Sequence, residues 1–112
     1  MLTETKEHDN VTYVAKIGKN AQENWDLISD SSQNDIWFHL DNFSSPHVVL
    51  TVPSEIKKIP KQLITWCAVL CKIHSKYNAI KKVPVIYTEI KHVKKADKVG
   101  AVTTEKTKRI VI

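Results

Sequence analysis

Two imidazoles, two thiols and an indole carry most of the chemistry this sequence could perform. His39 and His47 flank a polar turn, Trp37 stands two residues before the first, and Cys67 and Cys71 lie four apart. A metal site is poorly served by this set. Cys-x-x-x-Cys lacks the spacing of zinc ligands, both thiols fall on one apolar arc with Ile64 and Ala68, and the two histidines would need Asp35 or Asp41 to complete a shell. Core cysteines in a reducing compartment are the better reading, and no metal or cofactor is expected. Catalysis fares little better. Ser44-Ser45 beside His47 would offer a nucleophile and a base, but neighbours in a turn rarely reach that geometry, and nothing marks an oxyanion hole. With only two glycines there is no P-loop, dinucleotide fingerprint or Gly-x-Ser-x-Gly elbow. Asp35 and Asp41 read as turn formers that bond their own backbone. A non-enzymatic domain is expected. Nucleic-acid binding uses these side chains best: Trp37 to stack a base or sugar, His39 and His47 to donate to phosphate or base edges, and lysines for sequence-independent attraction. The alternative is structural, with Trp37 packed on the first helix and the imidazoles bonded within the hairpin.

The element that positions this trio is Asp35–Val52. Ile36, Phe38 and Leu40 alternate with Asp35, Trp37 and His39, and after the turn at Asp41–Pro46 Val48, Leu50 and Val52 alternate with His47, Val49 and Thr51. A hairpin register that sets His39 opposite His47 also sets Phe38 on Val48 and Ile36 on Leu50. The apolar face is then satisfied, and Trp37, His39 and His47 share the second face.

The other elements are read around this hairpin. Residues 1–10 have no apolar period and are expected to be a flexible lead-in, with the domain running over residues 11–112. Val11–Ile17 is a strand, and Asn20 caps a short amphipathic helix over Ala21–Ser31. Pro60 opens a long helix from Lys61 to about Tyr77, whose apolar arc covers the sheet. Val83–Glu89 is a strand with Pro84 at its edge or start. Ile90–Gly100 is a lysine-rich loop, and Ala101–Thr104 with Lys108–Ile112 forms a terminal hairpin. The expected fold is a single α+β domain, an antiparallel or mixed sheet of about five to six strands with one long and one short helix.

Composition is that of an ordinary globular protein, with 42% apolar and 26% charged residues in 112. No run approaches the roughly 18 to 20 apolar residues of a membrane span. The polar, acidic N-terminus reads as neither a secretory nor a mitochondrial signal, and the cytoplasm is the expected compartment. The net charge of +5 is unevenly spread: residues 1–55 hold 3 Lys against 9 Asp or Glu, residues 56–112 hold 14 Lys or Arg against 3 acids. Such asymmetry suggests a basic surface for a polyanion. Lys16 and Lys19 flank Gly18 where the chain enters a helix N-terminus, a place suited to phosphate. Lys91, Lys94 and Lys95 read as a separate phosphate rail.

Tyr13-Val-Ala-Lys-Ile-Gly-Lys-Asn20, Glu23-Asn24, Asp35-Ile-Trp-Phe-His39 and Ser45-Pro-His-Val-Val-Leu50 together resemble the NFACT-R domain. Lys82–Thr88, His92-Val-Lys-Lys95 and Gly100 extend the resemblance in order towards the C-terminus. It looks closest to the small stand-alone eukaryotic branch of coiled-coil-containing proteins. The resemblance implies RNA binding, with association to the large ribosomal subunit or tRNA in translation quality control. Carried over by position, its motif residues are Gly18, Lys19, Asn20, Asn24, Asp35, Trp37, His39, Ser45 and His47. Pro46 and Trp25 depart from the family pattern, where a small residue and an acid are common. The expected contact set is therefore Lys16, Lys19, Asn20, Trp37, His39, Ser45, His47, Lys91, Lys94 and Lys95. RNA is the expected ligand and DNA the alternative. A protein-interaction module, with the acidic half meeting a basic partner, is the rival from another class.

Overall fold

In the computed structural model, which describes residues 1–112, the central hairpin is formed by β3 (Ile36–Leu40) and β4 (Val48–Thr51). Ile36 lies opposite Leu50 and Phe38 opposite Val48, the register that the alternation predicts. The chain adds β1 (Leu2–His8), β2 (Val11–Ile17), α1 (Ala21–Asp30), α2 (Lys61–Ile73), β5 (Pro84–Glu89), β6 (Val93–Lys95), β7 (Val102–Thr104) and β8 (Lys108–Val111). Six strands make one sheet in the order β1-β2-β4-β3-β5-β8, antiparallel throughout, and β6-β7 is a separate ribbon.

Both faces of the sheet centre are covered. Phe38, Leu40, Val48 and Leu50 pack under α2 with Leu63, Cys67 and Cys71. On the other face Trp37 and Val49 pack with Leu27 of α1 and with Ile90 and Val93 beside the small ribbon. Burial raises the Cys67 thiol far above its ordinary value and Cys71 to about 11, so both are inert core groups.

Three expectations are corrected. Residues 1–10 are not a loose lead-in: Leu2–His8 is an edge strand paired residue for residue with β2. Its side chains are mostly exposed on both faces, which is why no apolar period shows. The strand is turned by Asp9 and Asn10, both in the left-handed region that a tight hairpin turn requires. The long helix stops at Ile73, not Tyr77. Ser75 donates from Oγ to the Lys72 carbonyl and accepts the Tyr77 N–H, taking over groups a further helical turn would use. The terminal hairpin does not form. β7 pairs with β6, and β8 pairs with β5. Val102 packs on the Trp37 side of the sheet and Ile110 on the α2 side, so the two strands serve opposite faces and separate. The Thr88 hydroxyl holds the connection, lying 3.0 Å from the Glu105 carbonyl and 3.2 Å from that of Lys106.

Candidate nucleic-acid interface

The second face of the hairpin is built from Gly18 upward. A Cβ on Gly18 would lie 2.1 Å from Asn24 Oδ1, so only glycine lets the Asn24 amide lie across the β2–α1 turn. There Asn24 Oδ1 accepts the His47 backbone N–H at 3.1 Å, while Gly18 N–H donates to the His47 carbonyl at 3.0 Å. The start of β4 is thereby fixed to the start of α1. Gly18→Ala is expected to displace Asn24 and cost about 2 kcal/mol, the penalty of orphaning a buried donor plus local strain. Urea unfolding checks the magnitude, and faster exchange of the His47 amide checks the cause.

His47 is 3% exposed and Trp37 1%. The Trp37 indole N–H donates to His47 Nδ1 at 3.0 Å. An indole nitrogen can only donate, so Nδ1 is the unprotonated nitrogen and the neutral ring carries its proton on Nε2. Burial, reinforced by the neighbouring His39, lowers the His47 pKa to about 3. His39 is half-buried, stacked on Trp37 at 5.8 Å and edge-on to His47 at 5.2 Å between ring centres. Its Nδ1 lies 2.6 Å from the Leu40 carbonyl, which can only accept, so Nδ1 holds the proton. Burial lowers its pKa, against opposing effects of that carbonyl and of Asp41.

These rings form part of a cleft of about 670 Å³ between the N-terminus of α1, the turn after α2 and the loop before β7. Lys19, Lys76 and Lys98 enter it from three separated parts of the chain, with His74 beside them, and no carboxylate lines it. None of the three lysines is in an ion pair. Asn20 accepts the Glu23 N–H at the head of α1, confirming the cap and setting the positive end of the helix at the cleft. Gly100, at φ 87°, brings the Lys98 loop against Ala21, where a Cβ would lie 2.8 Å from the alanine Cβ. Trp25 holds the same loop through a 2.9 Å hydrogen bond to the Ala101 carbonyl. A second cleft of about 460 Å³ adjoins the first and shares His39, Ser44, His47, Gly100 and Ala101 with it.

Of the residues singled out in the sequence, Lys19, Asn20, His39, Ser45 and His47 line the main cleft. Ser45 also orders the hairpin turn, accepting the Leu40 N–H at 3.1 Å. Trp37 is brought to the same place but lies beneath it. At 1% exposure it has no face for a base, and stacking gives way to orienting His47. Lys16 lines a different, smaller cavity with Asp30 and Asp35. Lys91, Lys94 and Lys95 line neither cleft. Lys91 pairs with Glu89 at 3.2 Å, Lys95 lies over the Trp25 ring and bonds Ser29, and Lys94 is exposed. Lys76 and His74 escaped the sequence reading, and Lys98 entered it only as the last of the contact lysines in the Ile90–Gly100 loop, not as a neighbour of the α1 N-terminus. Lys98 could have been reached from the glycine two residues on, since a tight turn there re-aims the loop. Nothing local marks the other two.

A carboxylate-free cleft edged by unpaired lysines on a rigid antiparallel scaffold is the build of an anion-binding α+β domain. The chain belongs to the NFACT protein RNA binding domain family, whose model matches residues 1–105. Coiled-coil domain-containing protein 25 of Mus musculus is 40% identical over 87 residues, covering 75% of this chain and 42% of that protein. The Rqc2 homolog RqcH of Bacillus subtilis is 36% identical over 92 residues, 78% of this chain and 15% of that one. The solved C-terminal part of the fibronectin/fibrinogen-binding protein from Streptococcus suis superposes with a TM-score of 0.80 at 25% identity, over 89% of this chain and 40% of that one. The chain thus spans well under half the length of these relatives. No helix is long and apolar enough to cross a membrane, and no three His, Cys, Asp or Glu are grouped so as to hold a metal.

Proposed function

We propose that this domain binds RNA in the cleft at the head of α1, as a binding module rather than an enzyme. The observation that carries the reading is the convergence of Lys19, Lys76 and Lys98 on a cleft without carboxylates, in a chain of an RNA-binding family. Asn20, Ser45, His39 and His47 complete the contact set inside it. Lys94, and more weakly the engaged Lys91 and Lys95, extend the surface outside, while Lys16 beside Asp30 and Asp35 contributes least. Likeness to the Rqc2 homolog supports a setting on the large ribosomal subunit or with tRNA, in translation quality control. We place this role in the cytoplasm, where the two buried thiols stay reduced.

Binding of a labelled RNA and of duplex DNA across a salt series tests this. Each lysine that displaces a counterion from phosphate contributes a little under one unit to the slope of log K against log salt. Replacing Lys19, Lys76 and Lys98 by Gln is expected to lower that slope by about two units and weaken binding at physiological salt. Replacing Lys91, Lys94 and Lys95 is expected to change it by about one unit or less. An unchanged slope in the first variant would move the contact away from the cleft. A salt-sensitive complex with protein alone, surviving nuclease treatment, would favour the interaction-module reading instead.

A further inference from the structure

The two imidazoles present opposite hydrogen-bonding faces to one cleft, and their tautomers are fixed from behind. Trp37 occupies His47 Nδ1, so His47 offers an N–H from Nε2. Leu40 occupies His39 Nδ1, so the neutral His39 offers a lone pair from Nε2. Neither Nε2 has a partner in the protein, yet no side-chain nitrogen or oxygen is buried unsatisfied. Both atoms therefore reach solvent, where the two adjoining clefts that the rings line meet. His47 is nearly sealed at 3% exposure, and its ring stands at 88° to that of His39. The result is one donor and one acceptor side by side on a floor that cannot rotate to suit another ligand.

Phosphate satisfies only half of this arrangement. A phosphodiester oxygen accepts from His47 but has no hydrogen for His39. The Watson–Crick edge of every nucleobase carries an acceptor beside a donor, and in a duplex both are taken by the opposite base. The volume of about 670 Å³ lies within the range of small-molecule sites and is far too small for a helix. We propose that His39 and His47 read the Watson–Crick edge of one unpaired nucleotide whose phosphates rest on Lys19, Lys76 and Lys98. The proposal deepens the RNA-binding reading and rests on it.

His39→Asn is the discriminating variant. An asparagine amide sits near the position of Nδ1, keeps the bond to the Leu40 carbonyl and removes the outward nitrogen. Fluorescence anisotropy would compare the full chain and this variant on one sequence supplied as single-stranded RNA, single-stranded DNA and RNA duplex at constant salt. The expected result is at least tenfold tighter binding to both single strands than to the duplex, with His39→Asn losing about tenfold on the single strands and little on the duplex. Equal affinity for strand and duplex, or an unaltered preference in His39→Asn, overturns the base-edge assignment while leaving phosphate binding in place. Binding to single-stranded RNA but not DNA would transfer the pair to the ribose 2′-hydroxyl and overturn it as well. Absence of binding to all three removes the RNA-binding reading itself. Imidazole ¹⁵N spectra give a readout that fold alone does not move. The two Nε2 resonances are expected to shift with the single strand, and inorganic phosphate to leave that of His39 in place.

Discussion

Trp37→Ala is expected to cost the fold about 3–5 kcal/mol, the range for removing a large buried aromatic side chain. Of a total stability on the order of 5–15 kcal/mol, that loss leaves little. The physical reason is the position of the indole, 1% exposed and sealed among Leu27, Val49, Ile90 and Val93 on the face opposite α2. Truncation opens a cavity there and removes the only donor to His47 Nδ1, leaving a buried lone pair without a partner. Urea unfolding followed by far-ultraviolet circular dichroism measures the loss, and Trp37→Phe, which keeps most of the volume, is expected to recover more than half of it. A Trp37→Ala chain with native stability and weakened RNA binding would return the indole to the contact surface. The two accounts of Trp37 thus differ in the quantity that changes, folding stability against affinity.

Why the sequence misplaces Trp37 is instructive. Alternation correctly sets the hairpin register and assigns Phe38, Leu40, Val48 and Leu50 to the core under α2. Alternation also puts Trp37, His39 and His47 on one face, where they are found. What it does not carry is the cover. That face is closed by Leu27 of the short helix α1, and by Ile90 and Val93, two apolar residues at the start of a lysine-rich run. Ile90 is held by its backbone N–H on the Asp35 carbonyl at 2.8 Å, and Val93 by the pairing of β6 with β7. The cap by Asn20 and the start of β5 at Pro84 were legible because one residue suffices to specify each. β1 was illegible for the opposite reason: its ladder is made by backbone groups, and its exposed side chains report nothing of it.

The cleft shows the same division. Gly18, Lys19, Asn20 and the hairpin histidines belong to segments whose local geometry can be read, and they line one cleft. Lys76 arrives because Ser75 ends α2 early, and Lys98 because Gly100 packs on Ala21. Those are decisions of tertiary structure: Lys76 lies 55 positions, and Gly100 79 positions, from Ala21 at the head of α1. Charge counting put the basic surface in the second half of the chain, but the Lys91–Lys95 rail that it favoured is partly engaged with Glu89, Trp25 and Ser29. Density of lysine in the sequence is therefore a poor guide to density of free positive charge at the site.

The neutral state of His47 makes acid the second large effect. In the unfolded chain its imidazole takes a proton near pH 6.5, whereas in the native domain burial and the adjacent His39 lower the pKa to about 3. Between these values the unfolded state binds a proton that the native state does not, so stability rises with pH across the window and falls as the solution is acidified. The contribution is complete above pH 6.5 and is lost progressively on the way down to 3, amounting to about 2 kcal/mol by pH 5. His39, whose pKa is lowered in the same direction, adds to the loss. Urea midpoints at pH 8, 6.5 and 5 at constant ionic strength measure it. His47→Asn provides the assignment, because its amide oxygen can still accept from the Trp37 indole while the titrating ring is gone. That variant is expected to be less stable at pH 8 yet to lose about 2 kcal/mol less than the native chain on going to pH 5. Parallel pH profiles for the two chains would mean that His47 takes up its proton in the native domain near the same pH as in the unfolded chain. The ring would still be neutral at pH 8, but on acidification Nδ1 would gain a proton, the indole could not donate to it, and the donor–acceptor pair on the cleft floor would be lost. Acid stability and base-edge recognition therefore stand on one hydrogen bond, from Trp37 to His47, and a single pH series on two proteins bears on both.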